Sequence, residues 1–356
     1  MALDLERLIR PTILRMRAYQ SARSLVTDAA VFLDANEAAD GRFNRYPVPQ
    51  PPALVQRFSE LYGVPPENVL VGRGSDEAID TLTRALCEPE SDKILITPPT
   101  YGMYEVSAAI QNSPVVKVPL NFDGEAWSLD LASMTACATT ESVKIVYVCS
   151  PNNPTGGAFP VQAIRELCTG VGPGTLVVVD EAYGEFASEY SAVPLLPEFS
   201  NLTVLRTLSK AWGLAGLRCG VVLADPSLIS VLQKVRAPYP LPQPVIDAAL
   251  ELTVETGHSE MRTRVQRILD QREKLSQALA KSPLVQKVFA TDANFILARF
   301  HDEAAVMRAT KAEGLILRSR ATESGLSGCI RITVGSESEN ALLLEMLEDL
   351  SRGGNA

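Results

Sequence analysis

Leu176-Val-Val-Val-Asp180-Glu-Ala-Tyr183 decides the fold. Four apolar residues stand in a row without the polar alternation of a half-exposed strand, and an acid follows at once. Such a run is a strand buried on both faces, the kind found in parallel sheets with helices above and below. Lys144-Ile-Val-Tyr-Val-Cys149 repeats the pattern and runs straight into Ser150-Pro-Asn-Asn-Pro-Thr-Gly156. In open α/β sheets ligands bind beyond the carboxyl ends of such strands, so Ser150–Gly156 and Asp180–Tyr183 are where chemistry is expected.

Outward from these strands the same alternation continues. Helical spacing over 53–62, 76–87 and 105–111 alternates with the apolar runs Val69-Leu-Val71, Lys93-Ile-Leu-Ile96 and Val115-Val-Lys-Val118. An α/β domain with a mostly parallel sheet between two helical layers follows. At Ala237-Pro-Tyr-Pro-Leu-Pro-Gln-Pro244 four prolines mark a hinge, and a long helical stretch over 245–281 follows it. Strands at Phe295-Ile-Leu-Ala298 and Cys329-Ile-Arg-Ile-Thr-Val334, with helices near 303–313 and 339–351, suit a smaller α+β domain. The expected division is an N-terminal arm over 1–30, a large domain over 31–245 and a small domain over 246–356 that part of the N-terminal segment joins. The arm reads as an amphipathic helix (Leu5, Leu8, Ile9) broken at Pro11 that packs on something beyond itself.

Composition narrows the function classes. The 356 residues are 46% hydrophobic and 21% charged, enough for a large core, and the net charge of −9 argues against nucleic acid as a partner. Six cysteines stand without a CxxC pair, which predicts free thiols in a reducing compartment and no zinc or other metal site. The start carries acids and lacks a signal-peptide core, and no apolar run reaches the ~18 residues of a membrane span. A cytoplasmic protein with a small-molecule ligand is expected.

Chemistry concentrates in Thr207-Leu-Ser-Lys-Ala-Trp-Gly-Leu-Ala-Gly-Leu-Arg218-Cys-Gly220, which gathers an amine, two hydroxyls and a guanidinium in one small-residue turn. Lys210 with a depressed pKa would form a Schiff base with a carbonyl, while Thr207, Ser209 and Arg218 would hold a phosphate. Asp180, at a buried strand end, would need a cation opposite it, such as a protonated pyridine nitrogen, or else serves as a helix cap. Tyr183 lies within reach of the same ring or is simply packed. Asn153 would donate to a phenolate-like oxygen, or its segment is only a tight turn. Val71-Gly-Arg-Gly74-Ser75-Asp76-Glu77 opens a helix, where backbone N–H groups cradle phosphate unless Ser75 or Asp76 only caps it. Arg331 sits within an apolar strand, and Arg318 ends another apolar run; each requires an anion, whether ligand or protein. His258 and His301 have no ligand partners at useful spacing.

Taken in order, the glycine turn, Pro99-Thr-Tyr-Gly-Met-Tyr104, Asn-Pro-Thr-Gly, Asp-Glu-Ala-Tyr, Ser-Lys and an arginine eight residues later resemble the fold-type I pyridoxal-phosphate aminotransferases. Tyr19-Gln-Ser-Ala-Arg23, Asn44-Arg-Tyr-Pro47, Pro98-Pro-Thr-Tyr101, Thr207-Leu-Ser-Lys210 and Gly328-Cys-Ile-Arg-Ile-Thr-Val-Gly335 are similar to the histidinol-phosphate branch of that family, over nearly the whole chain. The resemblance implies a sheet of the seven-stranded type and pyridoxal 5′-phosphate as cofactor. It implies Lys210 as the Schiff-base lysine, Asp180 at the pyridine nitrogen, Asn153 and Tyr183 at the phenolic oxygen, and Tyr101 stacked on the ring. Backbone around Gly74, Ser75 and Asp76, with Thr207, Ser209 and Arg218, would hold the phosphate, joined by Tyr46 from a second subunit of a homodimer. Arg331 would bind the carboxylate of glutamate or 2-oxoglutarate, and Arg318, Asn36 and Tyr19 the polar end of histidinol phosphate. Where the family has a proline and an aromatic after Asn-Glu, this chain reads Asn36-Glu-Ala-Ala-Asp-Gly41. Aromatic aminotransferases and threonine-phosphate decarboxylases share these motifs and stay open. A cofactor-binding regulator would need a DNA-binding module, for which the N-terminal arm is too short.

Overall fold

Unalternating apolar runs occupy the middle of the observed sheet, as their composition requires. The computed structural model describes residues 3–21, 23 and 31–353. Its strands are β1 (Val69–Gly72), β2 (Lys93–Ile96), β3 (Val115–Lys117), a short ribbon of β4 (Asn121–Phe122) and β5 (Trp127–Ser128), β6 (Val143–Cys149), β7 (Leu176–Asp180), β8 (Leu202–Thr207) and β9 (Gly220–Leu223). The seven-stranded sheet runs β1-β9-β8-β7-β6-β2-β3, and only β9 is antiparallel to its neighbours.

Alternate residues of β7 enter opposite cores. Val177 and Val179 join Phe58, Ile164 and Ile246 on one face; Leu176 and Val178 join Ile79, Leu82 and Leu228 on the other. Full burial of such side chains contributes about 1.5–3 kcal/mol each, which makes the two-sided runs the main stabilising element of the large domain. β8 is harder to see in sequence, because Arg206 interrupts it; the guanidinium is tolerated there by an ion pair to Glu181.

A second sheet, β10-β11-β13-β12, is built from β10 (Val285–Val288), β11 (Phe295–Phe300), β12 (Arg318–Ser319) and β13 (Cys329–Thr333), all pairs antiparallel. It packs against the helices Glu303–Ala312 and Glu337–Gly353 and the C-terminal part of Glu255–Lys281 through Ile296, Ile330, Val306, Leu343 and Leu275.

The structure differs from the sequence expectations in two places and shows what the arm packs on. The stretch 245–281 is two helices, Gln243–Leu252 and Glu255–Lys281, rather than one. Ile246, Ala249 and Met261 belong to the large-sheet core, whereas Leu275 and Leu279 belong to the small one, so the change of core falls inside the second helix and not at 245. The arm forms the short helices Leu5–Leu8 and Pro11–Arg15 and packs on its own large domain: Leu8 and Ile9 are buried there, and Arg10 pairs with Glu88 at 3.1 Å. The remainder of the arm, residues 22 and 24–30, lies outside the described residues.

Candidate active site

Four parallel strands end at one cavity of about 430 Å³, bounded on the far side by β12 and β13. β1 leads through Gly74 into the helix Ser75–Leu86, β6 into Asn153, β7 into Asp180, and β8 into Thr207, Ser209 and Lys210; all of these except Gly74 line the cavity with Tyr101, Tyr183, Arg218, Arg318 and Arg331.

The floor holds a buried acid. Asp180 is 2% exposed, and its carboxylate accepts from the Tyr104 hydroxyl at 3.0 Å and the Ala182 N–H at 3.2 Å. Burial pushes its pKa up to about 6 against these two donors, and among the described residues no cation is bonded to it. Its neighbour Glu181 turns away, accepting from Ser191, Ala192 and Arg206. The strand alternation therefore assigns the first acid to the cavity and the second to the core.

One end of the cavity is an anion cradle. Gly74 has φ +89°, and a Cβ there would lie 3.3 Å from Arg218 Nη2 and 3.9 Å from Thr207 Oγ1, so glycine lets the turn close on these donors. The first-turn N–H groups of the helix Ser75–Leu86 point into the same corner, where the helix dipole favours an anion. Arg218 Nη1 donates to Ser209 Oγ at 3.3 Å, Thr207 Oγ1 to Ser209 Oγ at 2.9 Å, and Arg218 Nη2 pairs with Asp76 at 3.3 Å. Tyr101 donates to the other Asp76 oxygen at 2.9 Å.

Lys210 lines the same cavity and lies within the fields of Asp76, Arg218 and Asp180. Its amine is held below the ordinary lysine value by desolvation first and then by the Arg331 charge, and its Nζ lies 5.6 Å from the Tyr183 ring centre. Arg331 donates to the Asn153 amide oxygen and lies over Phe295, 5.4 Å from the ring centre. That contact leaves the Asn153 amide NH₂ for a ligand. Asn152 is instead a staple, bonded to Pro99, Thr100 and Thr155, so the Asn-Asn pair divides its labour as the Asp-Glu pair does.

Three expected residues are not brought to this cavity within one chain. Tyr19 is 73% exposed, Asn36 is exposed with φ +55°, and Tyr46 is 48% exposed and stacked on Tyr239 at 4.4 Å. The loop bearing Asn36 and Tyr46 is organised by Glu37, which pairs with Arg23 and Arg45 and accepts from the Tyr46 N–H at 2.7 Å. Conversely, the cavity gains Cys149 and Arg320, and its floor gains Tyr104. Arg320 follows Arg318 by two, so strand alternation puts both on one face, and Tyr104 stands in the first turn of the helix Met103–Gln111, three residues after Tyr101.

Among the described residues no cluster of His, Cys, Asp and Glu could hold a metal ion, and no helix is long and apolar enough to cross a membrane. All six cysteines are free thiols.

The model of the aminotransferase class I and II family matches residues 17–347. Histidinol-phosphate aminotransferase of Xylella fastidiosa (strain 9a5c) is 43% identical over 350 residues, 96% of each chain. The enzyme of that name from Escherichia coli O157:H7 is 44% identical over 348 residues, again 96% of each. Among solved structures, histidinol-phosphate aminotransferase from Sinorhizobium meliloti in complex with pyridoxal-5′-phosphate superposes with a TM-score of 0.78 at 24% identity, covering 87% of this chain and 83% of that one; at this identity the likeness speaks for the fold.

Proposed function

Since the chain belongs to the aminotransferase class I and II family, we infer that the cavity is its active site and that the protein is a pyridoxal-phosphate-dependent histidinol-phosphate aminotransferase. The observation that carries the cofactor is the set of groups gathered at one cavity: an anion cradle at Gly74, Thr207, Ser209 and Arg218, an amine of lowered pKa at Lys210, and a buried acid at Asp180 that has no cation bonded to it among the described residues. Pyridoxal phosphate has a phosphate, a carbonyl and a basic ring nitrogen to meet them. Relatives at 43–44% identity over 96% of the chain favour histidinol phosphate over the aromatic and threonine-phosphate alternatives.

When bound, the cofactor supplies the carbonyl that takes up the substrate's amino group and a ring that draws electrons from the carbon bearing it. The residues do the rest. Thr207, Ser209, Arg218 and the helix N-terminus bind the phosphate, and Asp180 holds a proton at the ring nitrogen. Asn153 and Tyr183 orient the phenolic oxygen, and Tyr101 covers the ring. Lys210, whose hold on a proton is weakened by burial and then by the Arg331 charge, is the base that moves the proton of the substrate α-carbon. Arg331 and Arg318 face the anionic ends of the substrates, the phosphate of histidinol phosphate and the carboxylates of glutamate and 2-oxoglutarate.

Tyr46, with Asn36 and Tyr19, fits a role across a homodimer interface: all three are exposed, and the Tyr46–Tyr239 stack stands on the surface of a single chain. We place the enzyme in the cytoplasm, in line with its free thiols. The test is the absorbance of the bound cofactor: histidinol phosphate and glutamate each convert it to the amine form in the absence of acceptor. Conversion by glutamate but not by histidinol phosphate would overturn the substrate assignment.

A further inference from the structure

β12 and β13 place Arg318 opposite Arg331 in register, and the Arg320 N–H donates to the Cys329 carbonyl at 2.8 Å, extending the pairing by two residues. Alternation along the strand puts Arg318 and Arg320 on one face, and all three guanidinium-bearing residues line the cavity that holds Lys210.

Their bonding differs. Arg331 is engaged by Asn153 and the Phe295 ring. Arg318 is exposed at the rim. Arg320 has a carboxylate beside it, Glu323, at 2.7 Å from Nη1, with side-chain exposures of only 18% and 27%. That pair is half made: Arg320 Nε and Glu323 Oε2 are both buried and have no hydrogen-bond partner among the described residues. A guanidinium gains most from two parallel bonds to one anion, and a single-bonded pair with an idle donor and an idle acceptor is readily exchanged. Three arginines against one glutamate leave two positive charges at this end of the cavity, the charge of a phosphate dianion with its sign reversed.

We propose that Arg320 is a third anion-binding residue of the cavity, held by Glu323 while the site is empty and transferred to the phosphate of a phosphate monoester substrate, so that it separates phosphorylated from purely carboxylate substrates. The inference rests on the functional reading above and deepens it. One site must accept both a phosphate ester without a carboxylate and a dicarboxylate without a phosphate. An arginine that changes partner supplies charge for the first and withdraws it for the second, whereas Arg331 and Arg318 are charged for both.

The test uses the cofactor-loaded enzyme and two ligands that cannot react, propyl phosphate and glutarate, titrated calorimetrically. The double variant Arg320→Gln/Glu323→Gln removes both members of the pair and leaves no buried charge unpartnered. It is expected to weaken propyl phosphate about tenfold or more, the loss of one charge-assisted bond, with glutarate within about twofold. Glu323→Gln alone frees Arg320 and is expected to tighten propyl phosphate only. In turnover the same split appears as a raised KM for histidinol phosphate with the KM for glutamate unchanged. Equal changes for both ligands, or no change for propyl phosphate in either variant, overturn the proposal. A wild-type enzyme that fails to react with histidinol phosphate overturns the functional reading instead, and the two titrations still decide the role of Arg320.

Discussion

Tyr104 donates its phenolic hydrogen to Asp180 Oδ2 across 3.0 Å, from a ring that is wholly buried and stacked on Tyr147 at 4.6 Å. Tyr147 is itself bonded to Thr83 at 3.1 Å and the Ile79 carbonyl at 3.2 Å, so the donor is fixed through a chain of packed rings. A hydrogen bond to the charged form lowers a carboxyl pKa, which makes Tyr104 a restraint on the upward push of burial. Tyr104→Phe should raise the Asp180 pKa above about 6. Carbon-13 NMR of the Asp180 carboxyl in the apoprotein reads this directly, and Tyr147→Phe, which leaves the bond to Asp180 intact, should move it far less.

Asp180 also makes apoprotein stability depend on pH in a direction opposite to the usual acid. Its carboxyl titrates near 6 when folded against about 4 when unfolded, so the folded state holds the proton more tightly. The resulting stabilisation is present below about pH 4 and is lost as pH rises through 6, an effect on the order of 3 kcal/mol. Asp180→Asn should therefore unfold at higher urea than wild type at pH 7, with the advantage gone below about pH 4. Added pyridoxal phosphate should reverse the order at pH 7, because the wild-type carboxylate then faces the ring nitrogen. A uniform difference at every pH would refute the assignment.

Lys210 takes its lowered pKa from burial and then from Arg331. Arg331→Gln keeps a donor for the Asn153 amide oxygen and removes the charge. The amine should then hold its proton to higher pH, and its reaction with trinitrobenzenesulfonate in the apoprotein at about neutral pH should slow. An unchanged rate would mean that burial alone sets the amine.

Gly74→Ala tests the cradle. At φ +89° a side chain is strained by about 1–3 kcal/mol, and the new Cβ meets Arg218 Nη2 at 3.3 Å. Arg218 is exposed and has room to move, so the protein should fold with a modest loss of stability. Cofactor affinity, measured by fluorescence titration, should fall by more than unfolding free energy does, since Arg218 is displaced from the corner where the phosphate belongs.

Much of this was legible in sequence because unalternating runs and abrupt polar ends are local signals. Leu176–Asp180 and Val143–Cys149 announce both their burial and the position of the site at their ends. Sequence singles out Asp180 and Asn153 but does not show what occupies the like neighbour of each. Asp180 and Glu181, or Asn152 and Asn153, differ only by half a strand repeat or a turn, and the partners that separate them come from 25 and 53 residues away. Tyr104 and Arg320 were hidden for the same reason: their roles rest on Asp180, 76 positions on, and on a strand pairing with β13. The order of the loop bearing Asn36 comes, in a single chain, from the Glu37, Arg23 and Arg45 ion pairs, whose partners no local pattern links.

Arg206 separates stability from chemistry beside this site. Its Nη1 meets Glu181 at 2.5 Å and its Nη2 meets Glu185 at 3.0 Å, with all three side chains under 10% exposed. Gly184 permits the approach, because a Cβ there would lie 2.2 Å from Nη1. The two carboxylates raise the guanidinium pKa despite its burial, so the arginine stays charged at every accessible pH. Arg206→Ala would strand two buried carboxylates and should cost about 3–5 kcal/mol of unfolding free energy. The triple variant Arg206→Met/Glu181→Gln/Glu185→Gln removes the charges together and should recover most of that loss, because desolvation of the ions largely offsets their attraction. In urea unfolding of the apoprotein the triple variant should therefore lie closer to wild type than the single one does. Its rate of cofactor conversion by glutamate should match wild type, since none of the three charges enters the cavity; a rate that falls with the charges would place Glu181 in the chemistry alongside Asp180.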